Sequence, residues 1–75
     1  MDEGFILANK FRRVIFDELA AGENDIKRIA KKNRMIPRVA QRIIDEFIMG
    51  GIVEKKGNRY MFTDEGKKLV ETIGK

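Results

Sequence analysis

The sequence predicts a mainly helical fold that carries one short β-hairpin. Apolar residues recur at helical spacing in three stretches that occupy the first two thirds of the chain. A Gly-Asn pair then separates two short strand-like runs, which is a hairpin signal, and a last stretch returns to helical spacing. A length of 75 residues suits one small core, so we expect a single domain over residues 1–75.

The first helix is predicted over residues 4–21. Gly22 follows it at the position where a glycine commonly ends a helix. The apolar stripe that this helix would bury consists of Phe5, Ala8, Phe11, Ile15, Phe16 and Leu19. Ile6, Leu7 and Val14 are apolar in excess of one stripe, and they suit either a broad core face or a contact between two copies of the chain.

A short second helix is predicted over residues 26–33, with Asn24 or Asp25 as its N-cap. Its buried face would consist of Ile26, Ile29 and Ala30. Residues 33–35 then break the pattern. Asn33 is of a type that tolerates the left-handed conformation often required in a tight turn, so it is the candidate for that conformation.

The third helix is predicted over residues 36–49, and Pro37 suits its start because the first turn of a helix needs no N–H donor there. Its inward side would contain Ile36, Ala40, Ile43, Ile44 and Phe47. Its outward side and flank contain Arg38, Gln41 and Arg42 in the N-terminal half, and Asp45 and Glu46 in the C-terminal half. This order opposes the helix dipole by only about 0.3–1 kcal/mol per charge, so a functional reason can override it.

Two short strands are predicted over residues 52–55 and 59–62, joined by Gly57 and Asn58, whose residue types accept positive φ. An isolated hairpin is marginally stable, so this one must pack against the helices. Thr63 can cap a last helix. The inward residues of that helix would be Leu69, Val70 and Ile73. We interpret as packing residues the aromatic Tyr60 and Phe62 and the methionines Met35, Met49 and Met61.

Charge is distributed unevenly along the chain. Residues 26–44 contain seven basic residues and no acidic one, whereas the remainder contains nine basic and twelve acidic residues. The seven are Lys27, Arg28, Lys31, Lys32, Arg34, Arg38 and Arg42. A block of one sign that covers two consecutive predicted helices is the pattern expected of a surface that binds a polyanion.

The absence of several residue types excludes most catalytic and metal chemistry. The chain contains no Cys, His, Ser or Trp, which rules out disulfides, thiolate or imidazole metal ligands, and the usual nucleophiles. Gly50-Gly51 lacks the spacing of a phosphate-binding loop. We therefore expect a protein that is not an enzyme and needs no cofactor or metal. No apolar run approaches membrane-spanning length and the first residues lack a basic signal segment, so a cytoplasmic location is expected.

A helix, a helix-turn-helix, a hairpin and a final helix follow one another in the order of a winged helix-turn-helix domain. Four motifs resemble the MarR- and ArsR-like regulators of prokaryotes and archaea. Residues 15–19 are similar to the first-helix pattern of that superfamily, and Ile29-Ala30 stands where its second helix has Leu-Ala. Residues 40–53 resemble a recognition helix that runs into a Gly-Leu-Val turn, and residues 60–66 resemble the wing exit Tyr-x-Leu-Thr-x-x-Gly.

This resemblance implies a three-helix core with a two-stranded wing and a C-terminal helix. It also implies a transcriptional regulator that binds double-stranded DNA as a homodimer and inserts the helix 36–49 in the major groove. The implied base-reading residues are Arg38, Gln41 and Arg42, since Arg pairs with guanine and Gln with adenine. The implied contacts to the DNA backbone are Lys31, Lys32, Arg34, Lys56, Asn58 and Arg59. Ile36-Pro37 departs from the small polar residues that usually begin this recognition helix.

Two other functions also fit the sequence. A winged-helix protein-interaction module of a transcription or processing complex would use the surplus apolar residues of the first helix, although the basic recognition helix speaks against it. An RNA-binding module would use the same charge, but the basic block contains no aromatic residue on which a single-stranded base could stack. A steep loss of affinity with salt would distinguish DNA binding from the protein-interaction module.

Overall fold

The computed structural model of the chain describes residues 1–73 and contains five helices and one antiparallel hairpin within them. The helices are α1 (Glu3–Leu7), α2 (Lys10–Ala20), α3 (Ile26–Lys32), α4 (Pro37–Met49) and α5 (Asp64–Ile73). The strands are β1 (Val53–Lys56) and β2 (Arg59–Phe62). The prediction of a mainly helical fold with a small hairpin is therefore confirmed.

The prediction of one helix over residues 4–21 is wrong, because Asn9 divides this segment into α1 and α2. Asn9 has an extended backbone, and its side chain accepts hydrogen bonds from the N–H groups of Phe11 (2.8 Å) and Arg12 (3.2 Å). This cap begins a new helix whose phase does not continue that of α1. Ala8 and Phe11 are consequently exposed, against the prediction, whereas Ile6 is fully buried.

The core forms where α4 packs against α2, α3 and β1. Its largest fully buried side chains are Phe16, Phe47, Ile6, Ile15, Ile29, Ile44 and Val53. The prediction that Ile36 faces inward is wrong: it is 67% exposed, because it is the extended N-cap of α4 and precedes the helical phase. Met35 is buried, as predicted, whereas Met49 and Met61 are exposed, so the interpretation of those two as packing residues is wrong.

Three helices end in the same hydrogen-bonded motif. The residue after the C-cap has a positive φ in each case, of 100° at Gly22, 54° at Arg34 and 79° at Gly51. The following N–H then bonds to a carbonyl five residues earlier, which is the Schellman arrangement. These bonds are Glu23 to Glu18 (3.0 Å), Met35 to Ala30 (2.8 Å) and Ile52 to Phe47 (3.1 Å). The left-handed residue of the turn between α3 and α4 is therefore Arg34, and the prediction of Asn33 for that position is wrong.

The hairpin is attached to the helices at both of its ends. Gly57 is the first central residue of its two-residue turn and has a φ of 63°, as a type II′ turn requires. The N–H of Tyr60 donates to the carbonyl of Asn24 just before α3, at 3.0 Å. Beyond β2, the Thr63 hydroxyl donates to the Gly51 carbonyl (2.6 Å) and accepts from the N–H of Gly66 (3.2 Å), so Thr63 caps α5 as predicted.

The aromatic residues of β2 pack as expected. Tyr60 is buried, and the ring of Phe62 lies 5.2 Å from that of Phe16 on α2. Residues predicted to face inward from α5 are half-buried against the core: Leu69, Val70 and Ile73. The hairpin is thus held beside α3 and α4, where the basic block lies.

Candidate nucleic-acid interface

All seven basic residues of the block 26–44 are exposed on α3, on the turn and on α4. Arg28 pairs with Glu23 at 3.7 Å, and Lys32 pairs with Glu18 at 3.1 Å. Five have no carboxylate within ion-pair distance in the part of the chain that the structure describes: Lys27, Lys31, Arg34, Arg38 and Arg42. The positive charge of this surface is therefore largely uncompensated.

The two carboxylates of α4 form no ion pair with the arginines of α4 among the described residues. Arg12 of α2 lies 3.5 Å from Glu46, between Nε and Oε1. Asp45 accepts a hydrogen bond from the side-chain amide of Gln41 at 2.9 Å. Arg38 and Arg42 therefore have no ion-pair partner on α4, although Asp45 and Glu46 line the same depression.

The three predicted base-reading residues lie together on the outer surface of α4. They line one shallow depression, whose walls are Arg38, Gln41, Arg42, Asp45, Glu46 and Met49. Arg38 and Arg42 are exposed and Gln41 is half-buried. The structure thus groups the residues that are predicted to act together.

Ile36 is a surface residue that sequence reasoning missed. Its exposed side chain stands beside Pro37, between Arg34 and Arg38 in the chain, at the N-terminal end of α4. An apolar side chain in this position is suited to contact a thymine methyl group. The signal for its exposure is present in the sequence, because a proline at the first helical position makes the preceding residue the extended N-cap.

A groove of about 360 Å³ separates the hairpin from α3 and α4. Its lining residues are Asp25, Ile26, Lys27, Gln41, Lys55, Asn58 and Tyr60. Lys27 and Lys55 are not among the predicted site residues, yet they contribute both basic side chains of this groove. The register of the hairpin explains the position of Lys55, which stands opposite Tyr60. The Nζ atom of Lys55 lies 5.8 Å from the centre of the Tyr60 ring.

The predicted contacts from the hairpin are all exposed but are not equivalent. Lys56, Asn58 and Arg59 surround the turn, and Lys56 stands opposite Arg59 in the strand register. Lys56 lies 3.3 Å from Glu54, so part of its charge is compensated. Arg59 has no carboxylate partner among residues 1–73.

The side chain of Asn33 links the turn between α3 and α4 to α2 by a hydrogen bond. Its amide nitrogen donates to Glu18 Oε2 at 2.7 Å and to the carbonyl of Ile29 at 2.9 Å. The hydrogen bond from Asn33 is the main cause that lowers the pKa of Glu18, and Lys32 lowers it further, against the opposing effect of burial. This network joins the end of α3 to α2.

Comparison of the chain with protein-family models, with curated proteins and with solved structures found no match in any of the three. Within residues 1–73, no helix is long and apolar enough to cross a membrane. The same residues contain no group of acidic side chains arranged to hold a metal ion. The charge and geometry of the surface formed by α3, α4 and the hairpin are therefore the basis for assigning a function.

Proposed function

We propose that the chain is a sequence-specific double-stranded DNA-binding protein of winged helix-turn-helix architecture that regulates transcription. In this proposal α4 enters the major groove by its N-terminal half and the hairpin is the wing. The main support is the set of five exposed, uncompensated basic side chains on α3, the turn and the first half of α4. Such charges release counterions from a duplex when they meet its phosphates, which favours binding.

Different residues of this surface would have different tasks. Arg38 and Arg42 would reach base edges, where a guanidinium makes two hydrogen bonds to guanine. Lys31 and Arg34 would contact phosphates beside the groove, and Arg59 would do so from the wing. Lys32 and Lys56 would contribute less than predicted because each already pairs with a carboxylate, at 3.1 and 3.3 Å.

A homodimer on a twofold-symmetric site is part of this proposal. Two copies of α4 would then occupy successive major grooves on one side of the duplex. Exposed apolar side chains outside the basic surface are available for the contact between copies, since Leu7 is 50% and Phe11 46% exposed.

Removal of the two arginines of α4 tests the proposal. We expect Arg38→Ala with Arg42→Ala to weaken binding to a selected duplex by about 1–3 kcal/mol for each bidentate pair of hydrogen bonds that is removed. The fold should stay intact because both side chains are exposed. Gel-shift titration against a pool of random duplexes, at two salt concentrations, would select the duplex and measure the decrease in affinity.

Lys67→Ala with Lys68→Ala is the matched control, because it removes the same charge from exposed positions of α5. This control should lose only the small part of the affinity that comes from long-range attraction between the DNA and charges outside the interface, which salt screens. Equal decreases in the two double variants would refute a direct role for α4. Failure of the wild-type protein to bind any duplex at low salt would refute the proposed function itself.

A protein-interaction module is the second candidate function. Met49 favours it, because this large apolar side chain is 89% exposed at the end of α4. Under this alternative the surface would bind a partner protein, and affinity for duplex DNA would be absent at low salt.

A further inference from the structure

The side chain of Gln41 is held in one orientation by two neighbours. Its amide nitrogen donates to Asp45 Oδ1 at 2.9 Å and, more weakly, to the Tyr60 hydroxyl at 3.5 Å. Asp45 is one helical turn further along α4, whereas Tyr60 belongs to β2 across the groove. Because an ionised carboxylate only accepts hydrogen bonds, the NH₂ group of Gln41 and not its oxygen must face Asp45.

This orientation leaves Gln41 with a restricted hydrogen-bonding capacity. An amide nitrogen has two hydrogens, and the nitrogen of Gln41 already faces two acceptors of the protein, Asp45 Oδ1 and the more distant Tyr60 hydroxyl. The carbonyl oxygen has no hydrogen-bond partner within residues 1–73, and the residue borders both the outer depression of α4 and the groove beside the hairpin. Gln41 therefore presents a free acceptor to a ligand, whereas its amide nitrogen is turned toward acceptors of the protein itself.

An acceptor alone does not make the two-hydrogen-bond contact that glutamine usually makes with adenine, since that contact needs one donor and one acceptor. In the major groove, adenine N6 and cytosine N4 are the amino groups that donate, whereas guanine and thymine present acceptors at the equivalent position. An acceptor-only side chain thus favours bases with an amino group over bases with a carbonyl.

We propose that Asp45 is a positioning residue that makes Gln41 select adenine or cytosine and reject guanine and thymine at one base pair of each half-site. This inference rests on the proposed function, because it requires α4 to lie in the major groove. The preference should be about fivefold, which corresponds to one net hydrogen bond.

Two variants of Asp45 separate the positioning effect from the effect of charge. Both Asp45→Ala and Asp45→Asn remove one negative charge, so both should raise affinity for every duplex to the same extent. The asparagine variant still offers a side-chain oxygen that can accept from Gln41, whereas the alanine variant offers none. We expect selection from random duplexes to give the same base preference for wild type and Asp45→Asn, and a loss of that preference for Asp45→Ala.

Solvent exchange of the Gln41 side-chain amide hydrogens, followed by NMR in the free protein, tests the geometry without DNA. These hydrogens should exchange more slowly than those of Asn58, whose amide is exposed and makes no side-chain hydrogen bond among residues 1–73. The protection should persist in Asp45→Asn and decrease in Asp45→Ala, in which only the longer bond to Tyr60 remains.

The outcomes distinguish this inference from the proposed function. Sequence-specific binding by wild type, with an unchanged base preference in Asp45→Ala, would overturn the role of Asp45 and leave the DNA-binding function standing. A preference for guanine or thymine that depends on Gln41 would also overturn it. Failure of wild type to bind duplexes with any sequence preference would overturn the proposed function and the base preference together.

Discussion

Replacing Arg34 with glycine should stabilise the fold and, at the same time, weaken the proposed binding to DNA. Arg34 occupies, with a φ of 54°, the helix-ending position that glycine occupies after α2 and α4. A side chain is disfavoured there because Cβ comes close to the backbone. The exposed guanidinium lies in the turn that leads into α4, where the proposed function requires a phosphate contact.

The size of both effects follows from this geometry. A left-handed conformation costs a residue with a side chain about 1–2 kcal/mol. Glycine loses about 0.5–1 kcal/mol more in backbone entropy when it folds. We therefore expect Arg34→Gly to raise the free energy of unfolding by about 0.5–1 kcal/mol, which is several degrees in Tm for a domain of this size. Removal of one phosphate contact should reduce the slope of log K against log salt by about 0.9.

Urea unfolding and salt-dependent gel-shift titration measure these two quantities. Gly22→Arg is the matched control because it makes the reverse exchange in the same motif. Gly22 has a φ of 100°, and an added Cβ would meet no atom within 4 Å, so its cost is conformational rather than steric. We expect Gly22→Arg to lower the free energy of unfolding by at least the amount that Arg34→Gly raises it, because a φ of 100° lies further from the left-handed region open to side chains than a φ of 54°.

A less stable Arg34→Gly variant would refute the assignment of backbone strain to Arg34. If wild type binds the duplex and Arg34→Gly leaves the slope of log K against log salt unchanged, the phosphate contact of Arg34 is refuted. The argument from backbone strain at Arg34 would still stand. The two measurements thus test the two roles of Arg34 separately.

Two further predictions concern the packing around this surface. Gly66→Ala should lower the free energy of unfolding by about 1–3 kcal/mol, because the added methyl would overlap the main chain that precedes β1. Gly4→Ala is the control, because its methyl meets only an ordinary contact at 3.4 Å and the change should be neutral or stabilising. Equal effects of the two variants in urea unfolding would contradict the close approach at Gly66. The lowered pKa of Glu18, caused first by Asn33 and then by Lys32, implies stability that is complete above its ordinary pKa of 4.5 and is lost as the pH falls through the lower folded value. Unfolding of wild type between pH 5 and 3 should therefore show a decline that Glu18→Gln reduces, and parallel profiles would argue against the network.

Most of the secondary structure follows from short-range signals that are visible in the sequence. Pro37 starts α4, Gly57 turns the hairpin and Thr63 caps α5, as predicted, and Asp25 is the one of the two candidates, Asn24 and Asp25, that caps α3. Asn9 is the exception, because helical spacing on both sides of this single polar residue predicts one continuous helix through it. Its side chain nonetheless accepts two hydrogen bonds that only a helix start supplies.

The candidate site was less accessible to sequence reasoning than the fold. The spacing of Arg38, Gln41 and Arg42 sufficed to place them on one surface of α4, and the structure brings them together. It did not reveal that Lys32 would pair with Glu18, which is 14 residues away, or that Tyr60 would approach Gln41 from another element, 19 residues away. Such contacts depend on how α3 packs on α2 and how the hairpin packs on α4.

The features that the sequence predicts are mainly hydrogen bonds within one turn, whereas those that it does not predict are mainly contacts between elements. Caps, helix ends and the hairpin turn join residues a few positions apart, so most of them can be predicted from composition and order, with Asn9 and Arg34 as the exceptions. The close approach of α5 at Gly66 and the bond between Gln41 and Tyr60 arise only when separate elements meet, because each depends on an atom that the local sequence does not specify. The left-handed conformation after α3 is a local feature, but it falls on Arg34, a residue type that does not signal it. The basic block from 26 to 44 was evident from its charge; which of its side chains remain free for a ligand was decided by tertiary packing.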